Sequence, residues 1–297
     1  MGITLKPYLQ LMRPANIMTA ISDVFAGAAI AMLYAGVGAE SLSWSSLAWL
    51  SLATMGLYGG GVVFNDVFDA QLDARERPER PIPSGRVHLA HAAYLGAGLF
   101  AVGVLASLAT DRISGAIAVG IVAMCLLYDG WAKHHALAGP VAMGICRGLN
   151  LLLGMSYMAD VLPETWFLAV IPLVYIAAVT TISRDEVHGG NRFPLMLSAA
   201  LYALVIALVT YFGVLRNGVS LGFVMVAVFA LFIYKPLVRA IQTLAVPDIR
   251  TAVKHGVLGL IFMNAIWASA TGIWVLPLIV LLLFPLSIWL AKLFSVT

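Results

Sequence analysis

Charge is what this chain most lacks. Of 297 residues, 17 are Lys or Arg and 14 are Asp or Glu, 10% together, against 62% hydrophobic. Soluble domains carry about 25% charged residues. A soluble protein this apolar could not cover its surface, so the composition excludes one and points to a polytopic membrane protein; the mean hydropathy is +0.97. Cysteine is nearly absent too. Cys125 and Cys146 both fall inside apolar segments, without metal spacing or a disulfide framework. The net charge of +3 is small, and no nucleic-acid partner is expected. Linkers and low-complexity runs are missing, so one domain over 1–297 is expected. Lys6 and Arg13 precede an apolar run as in a signal peptide. That run is long, contains Asp23 and lacks a clear cleavage site, so it reads as a retained first span.

What is present is a series of apolar segments, near 16–36, 46–66, 88–109, 113–131, 137–158, 163–183, 193–214, 219–238, 254–271 and 273–294. Runs of this length in lipid must satisfy their backbone groups internally, so helices are the expected form. The prediction is an all-α transmembrane bundle of nine to ten spans, with Thr271-Gly272 as either a tight hairpin or a break in one helix. Lys and Arg sit at the N-terminus (Lys6, Arg13) and after the even spans (Arg75, Arg77, Arg80 and Arg86; Lys133; Arg184 and Arg192; Arg239, Arg250 and Lys254). The opposite connections hold only Arg112 and Arg216. This asymmetry places the N-terminus and the even connections in the cytoplasm. The expected location is a bacterial inner (plasma) membrane. Trp44, Trp49 and Trp274 read as interface anchors.

The acids are concentrated as well. Five of the 14 lie between Asp66 and Glu79. Asn65, Asp69 and Asp73 are spaced i, i+4, i+8, so on a helix they share a face, with Asp66 on the same side. Clustered carboxylates repel unless a cation joins them. Hard oxygen ligands suit Mg2+, which commonly completes its shell with substrate phosphate oxygens. The arginines that follow offer bidentate donors to phosphate. The combination describes a diphosphate site, and the apolar helices behind it suit a long hydrocarbon tail.

Asn65-Asp66-x-x-Asp69-x-x-x-Asp73, followed by Arg80-Pro81-Ile82-Pro83-Ser84-Gly85, resembles the first aspartate-rich motif of the UbiA superfamily of membrane prenyltransferases. The resemblance implies a helical bundle of about nine spans. It also implies Mg2+-dependent transfer of an isoprenoid from an isoprenyl diphosphate to an aromatic or other lipophilic acceptor, within membrane lipid. On that footing Asn65, Asp66, Asp69 and Asp73 would hold Mg2+ and diphosphate, with Arg77 and Arg80 as diphosphate contacts. Tyr128 and Lys133 resemble the family's Tyr…Lys element after span four. The family's second motif is D-x-x-x-D after span six. Here Arg184-Asp185 fits its start, but Gly189 stands where the second Asp belongs; Glu186 and His188 are the nearby substitutes, with Glu186 able to supply an oxygen ligand beside Asp185. The phrase 182–190 resembles the EboC-type branch of UbiA-like proteins.

Polar residues at membrane depth tend to face a cavity or a partner. Arg147, with Asn150 one turn on, either reaches the diphosphate from inside the bundle or pairs with an acid such as Asp23. Asp23 either lines the acceptor side or is that partner. Arg13-Pro14-x-Asn16 resembles the family's N-terminal R-P element near the acceptor pocket; a membrane-surface anchor is the other reading of Arg13. In the implied reaction an allylic C–O bond ionises against cationic neutralisation of the leaving diphosphate. The acceptor then attacks and loses a proton, with Asp66 or Asp69 the candidate bases by proximity. The competing class is a non-catalytic binding or transport protein that kept the fold, for which Gly189 is the sequence support. The charge asymmetry is directly testable: a reporter inserted near Ser84 should read cytoplasmic, and one near Gly38 should read the opposite side.

Overall fold

The computed structural model describes residues 5–183, 191–215, 218 and 220–294. Among them the fold is all-helical. A short helix α1 (Leu5–Met12) leads into α2 (Pro14–Ala35), and α3 (Trp44–Phe68) runs into α4 (Ala70–Glu76). Then come α5 (Leu89–Leu108), α6 (Arg112–Gly130), α7 (Ala138–Met155), the single turn α8 (Leu162–Thr165) and α9 (Val170–Ser183). The chain ends with α10 (Arg192–Val209), α11 (Ser220–Thr243), α12 (Val246–Ser269) and α13 (Val275–Phe294). Nine helical runs among the described residues are long and apolar enough to cross a membrane. The longest, 46 residues over Ala138–Ser183, is not one rod. It turns through a 3-10 stretch in which Met158 is non-helical (φ −130°, ψ 85°), and α9 packs back on α7. The fifth and sixth apolar segments are therefore the arms of a hairpin. Likewise α12 and α13 are separate packed helices joined by a turn at Gly272, not one broken helix.

The helix α2 is the central element; its apolar window is 89% buried, against 22% for α13. Its sequence explains this. Alanine and glycine along 26–31 let neighbouring backbones approach closely, which is how helices associate where lipid removes the hydrophobic drive. The tightest crossing is with α7. A Cβ on Gly27 would lie 2.5 Å from the Leu151 carbonyl oxygen, and one on Gly154 would lie 2.7 Å from that of Val24. Two cores flank α2. One is built on Tyr175, Tyr202, Phe229 and Trp267 and takes Ala26 and Ile30. The other takes Val24, Ala28 and Ala29 against Leu50, Leu57 and Leu153.

Some boundaries differ from the hydropathy reading. The connection between the eighth and ninth apolar segments is almost entirely helical: α11 reaches Thr243 and α12 begins at Val246. The turn between them puts Leu244 at a φ of 54°, and Arg239 pairs with Asp248 across it (2.9 Å). Arg239, Arg250 and Lys254 thus stand on helices and not in a loop. Hydropathy marks where side chains become polar, whereas the backbone keeps its helical bonds for another turn or two. Gly154→Leu should destabilise the protein by about 2–3 kcal/mol or more, because the overpacked atoms meet backbone. Gly98→Ala, where an added Cβ meets nothing within 4 Å, should be neutral or slightly stabilising. Thermal unfolding midpoints in detergent compare the two.

Candidate functional site

At the end of α3 a helix and a charge cluster compete for the same residues. Backbone bonds continue from Asp69 N to Asn65 O (3.0 Å) and from Asp73 N to Asp69 O (2.8 Å). At Asp69 itself, however, ψ is 2°, and α4 restarts beyond it. Four carboxylates converge on this end of the bundle, with basic side chains placed between them. Arg13 meets Asp66 (2.5 Å). Arg80 bridges Asp66 (3.3 Å) and Asp73 (2.7 Å). Lys133 meets Asp69 (2.7 Å) and lies 3.8 Å from Asp129, with its ammonium 5.9 Å from the Phe68 ring centre. Asn65 donates to Asp129 (2.8 Å).

Asn65, Asp66, Asp69 and Asp73, the residues expected to hold Mg2+, are divided between different cations; among the described residues no three acidic or His/Cys groups are placed to hold a metal. Asp66 and Asp73 share Arg80, while Asn65 and Asp69 turn to the α6 end. Asp66 and Asp73 are 5% and 3% exposed, and buried like charges need cations between them. Arg77, the other expected diphosphate contact, stands apart from these pairs. It makes no ion pair among the described residues and is half-buried; Arg80, three residues on, takes the position. Arg184, Asp185 and Glu186 lie outside the described residues, as does most of the EboC-like phrase.

Arg13 holds a left-handed backbone (φ 48°, ψ 61°) at the head of α2. Such strain in a non-glycine residue costs about 1–2 kcal/mol and concentrates at functional sites. Here it turns the guanidinium onto Asp66, so the reading of Arg13 as a surface anchor gives way. Arg13 also borders three adjoining cavities. The first is a polar cleft of about 300 Å3 that includes Asn16, Asp66 and Arg80. The second is a chamber of about 320 Å3 that runs inward along Ile176, Val179 and Leu260 to Arg147 and Asn150. The third, about 240 Å3, holds Asn65, Tyr128 and Asp129. A polar mouth therefore opens onto an apolar interior.

The chamber's inner wall is fixed by a buried network. Asp23 is fully buried and meets Arg147 Nε (2.5 Å). It also accepts from Asn150 (2.9 Å) and Asn264 (2.7 Å). Arg147 donates further to the Thr19 carbonyl, and Thr54 donates to Asn150 (2.5 Å). Asp23 does not line a cavity, so its expected place on the acceptor side is corrected: it neutralises Arg147. Arg147 and Asn150 do both things, bonding to Asp23 and bordering the chamber. Sequence reasoning missed Asp129 and Tyr58 as site residues. Asp129 could have been found from its i, i+4 relation to Lys133; Tyr58, an aromatic in an apolar run, carried no signal.

Fold and site together define an integral membrane helical bundle with an ion-paired polar mouth over an apolar chamber. The chain belongs to the UbiA prenyltransferase family, whose model matches residues 24–237. The digeranylgeranylglyceryl phosphate synthase of Ignicoccus hospitalis is 32% identical over 190 residues, 64% of this chain and 60% of that protein. The match thus spans about three fifths of that relative's length. The apo structure of a UbiA homologue from Aeropyrum pernix superposes with a TM-score of 0.71 at 19% identity, covering 84% of this chain and 96% of that one. A UbiA homologue from Archaeoglobus fulgidus bound to GPP and Mg2+ gives 0.63 at 12% identity, covering 84% and 99%.

Removing one partner of a buried pair leaves an uncompensated charge, at a cost of about 3–5 kcal/mol. Asp23→Ala should therefore lose that much stability and Asp23→Asn less, as read by unfolding in detergent.

Proposed function

We propose that this protein transfers an isoprenyl group from its diphosphate to the hydroxyl of a lipid glycerophosphate. The observation that carries this reading is the pair of cations Arg13 and Arg80, held on carboxylates in a polar cleft that adjoins an apolar chamber, with Lys133 on Asp69 beside them. The name of the Ignicoccus relative favours a glyceryl phosphate acceptor over an aromatic one. The Lys- and Arg-rich end of the bundle is assigned to the cytoplasm, and 1–297 is taken as one functional domain.

The donor chemistry fits Mg2+, since the available ligands are carboxylate oxygens and the Asn65 amide. Mg2+ is usually bound by one or two carboxylates, with substrate phosphates and water completing the shell. Asp66, Asp69 and Asp73 would hold it, with Asp185 and Glu186 the candidates after α9. When bound, the ion neutralises charge on the leaving diphosphate.

The protein's own groups do the rest. Arg13, Arg80 and Lys133 exchange their carboxylate contacts for diphosphate oxygens, a ligand change that leaves each cation paired. Arg77 and Arg184 are placed in sequence to add further contacts. The C1–O bond breaks and its electron pair leaves with the diphosphate, stabilised by preorganised charge in a site shielded from bulk water. The acceptor oxygen bonds to C1, and its proton passes to a carboxylate, Asp66 or Asp69. The chamber encloses the tail, and Tyr58 and Tyr128 offer aromatic faces to the developing cation.

Pyrophosphate should be released from an allylic diphosphate only with Mg2+ and acceptor. Asp69→Ala and Lys133→Gln should each lower kcat/KM by about a hundredfold to a thousandfold. A non-catalytic carrier is the competing reading, favoured by the carboxylates already being internally paired. Binding without turnover, indifferent to chelator and to Asp69→Ala, would establish the carrier instead.

A further inference from the structure

A fourth cavity, of about 640 Å3, lies between the head of α2, the first turns of α12 and the last turns of α13. Three cations border it, Arg250, Lys254 and Lys292, and among the described residues no carboxylate does. The basic residues of the neighbouring mouth are placed differently: Arg13, Arg80 and Lys133 each rest on an acid. Arg250, Lys254 and Lys292 have no ion pair among the described residues. Arg250 and Lys254 are one turn apart on α12, where like charges repel, and Lys292 faces the same space from α13. A topological role requires cations on this side of the membrane but does not require them to converge on one groove.

The groove is also joined to the site. Val253 and Val257 border both it and the apolar chamber. Asn16 borders the groove, the chamber and the polar cleft that contains Asp66. A ligand with its anionic head among the three cations therefore has a continuous path past Asn16 toward the carboxylates.

We infer that this groove seats the phosphate of the acceptor, a lipid glycerol phosphomonoester whose free hydroxyl is directed past Asn16 toward the cleft. This rests on the transfer reaction proposed above. Charge-assisted contacts to the phosphate would hold the acceptor while Arg13, Arg80 and Lys133 serve the diphosphate, so two anionic groups occupy separate cationic seats. Asn16 is then a positioning residue at the corner where the acceptor's backbone turns.

The test uses the full chain in detergent, an isoprenyl ether of glycerol phosphate and the same ether without its phosphate. Neutralising the groove with Arg250→Gln, Lys254→Gln and Lys292→Gln should raise KM for the phosphorylated acceptor by about tenfold or more. The values of kcat, KM for the allylic diphosphate and KM for the dephosphorylated acceptor should stay unchanged. Lys254→Arg alone should keep the wild-type KM. Equal KM for the two acceptors in the wild type, or an unchanged KM in the neutralised variant, overturns the inference. Equilibrium binding of the phosphorylated ether, measured without allylic diphosphate, separates this from the proposed reaction. Binding that needs the three cations but is followed by no transfer keeps the groove and removes the transferase reading. Binding of phosphatidylglycerol as tight as that of the ether would make the groove a seat for bulk membrane headgroups and overturn its assignment to the acceptor.

Discussion

A carboxylate buried at the centre of an apolar bundle must be neutralised, and the arrangement around Asp23 follows from that requirement. Taking an ion out of water costs several kcal/mol even after relaxation, and an ion pair offsets this only with good geometry and further hydrogen bonds. Asp23 has both: Arg147 on one side, with Asn150 and Asn264 filling the remaining positions. Those partners come from α7 and α12, so the network ties three helices at one depth. The close crossing of α2 on α7 makes this reach possible, because Gly27 and Gly154 leave no side chain between the backbones. The same network fixes the edge of Arg147 and Asn150 that borders the chamber.

Nearer the end of the bundle the balance is different. Asp66, Asp69, Asp73 and Asp129 are paired with Arg13, Arg80 and Lys133 on separate helices and connections. Arg13, Arg80, Asp66 and Asp129 among them border cavities, whereas Asp23 is fully enclosed. The contrast is functional. A fully enclosed pair has nowhere to exchange its partners, so it serves the fold. A pair at the edge of a cleft can trade one anion for another when an incoming cation takes the released carboxylate, so it can serve chemistry. The strained backbone of Arg13 belongs to this second group, since it aims the side chain at the junction of all three cavities.

Much of this was legible in the sequence because membrane insertion leaves few choices. Apolar runs give the helices, and the N-D-x-x-D-x-x-x-D pattern with its R-P-x-P-S-G continuation marks the ion-paired end of α3. The i, i+4, i+8 spacing suggested one ligand face. The structure divides that face, because Asp69 interrupts the helix and because cations distant in sequence lie between the acids. A spacing rule describes an isolated helix and contains no term for Arg13 arriving from 53 residues away. The same limit applied to Asp23 and Arg147, which are 124 residues apart. Their types permitted either a pair or a substrate contact, and only packing could choose.

The sequence by itself therefore determined the class of molecule, its helical spans and the residue types at its reactive end, since each depends on local composition and short spacing. Tertiary structure decided which charges are spent on one another and which border space. It enclosed Asp23, opened a path from Asp66 to the chamber, and brought Arg250, Lys254 and Lys292 to one groove. Those outcomes depend on how closely helices far apart in the chain approach, and no local pattern encodes that distance.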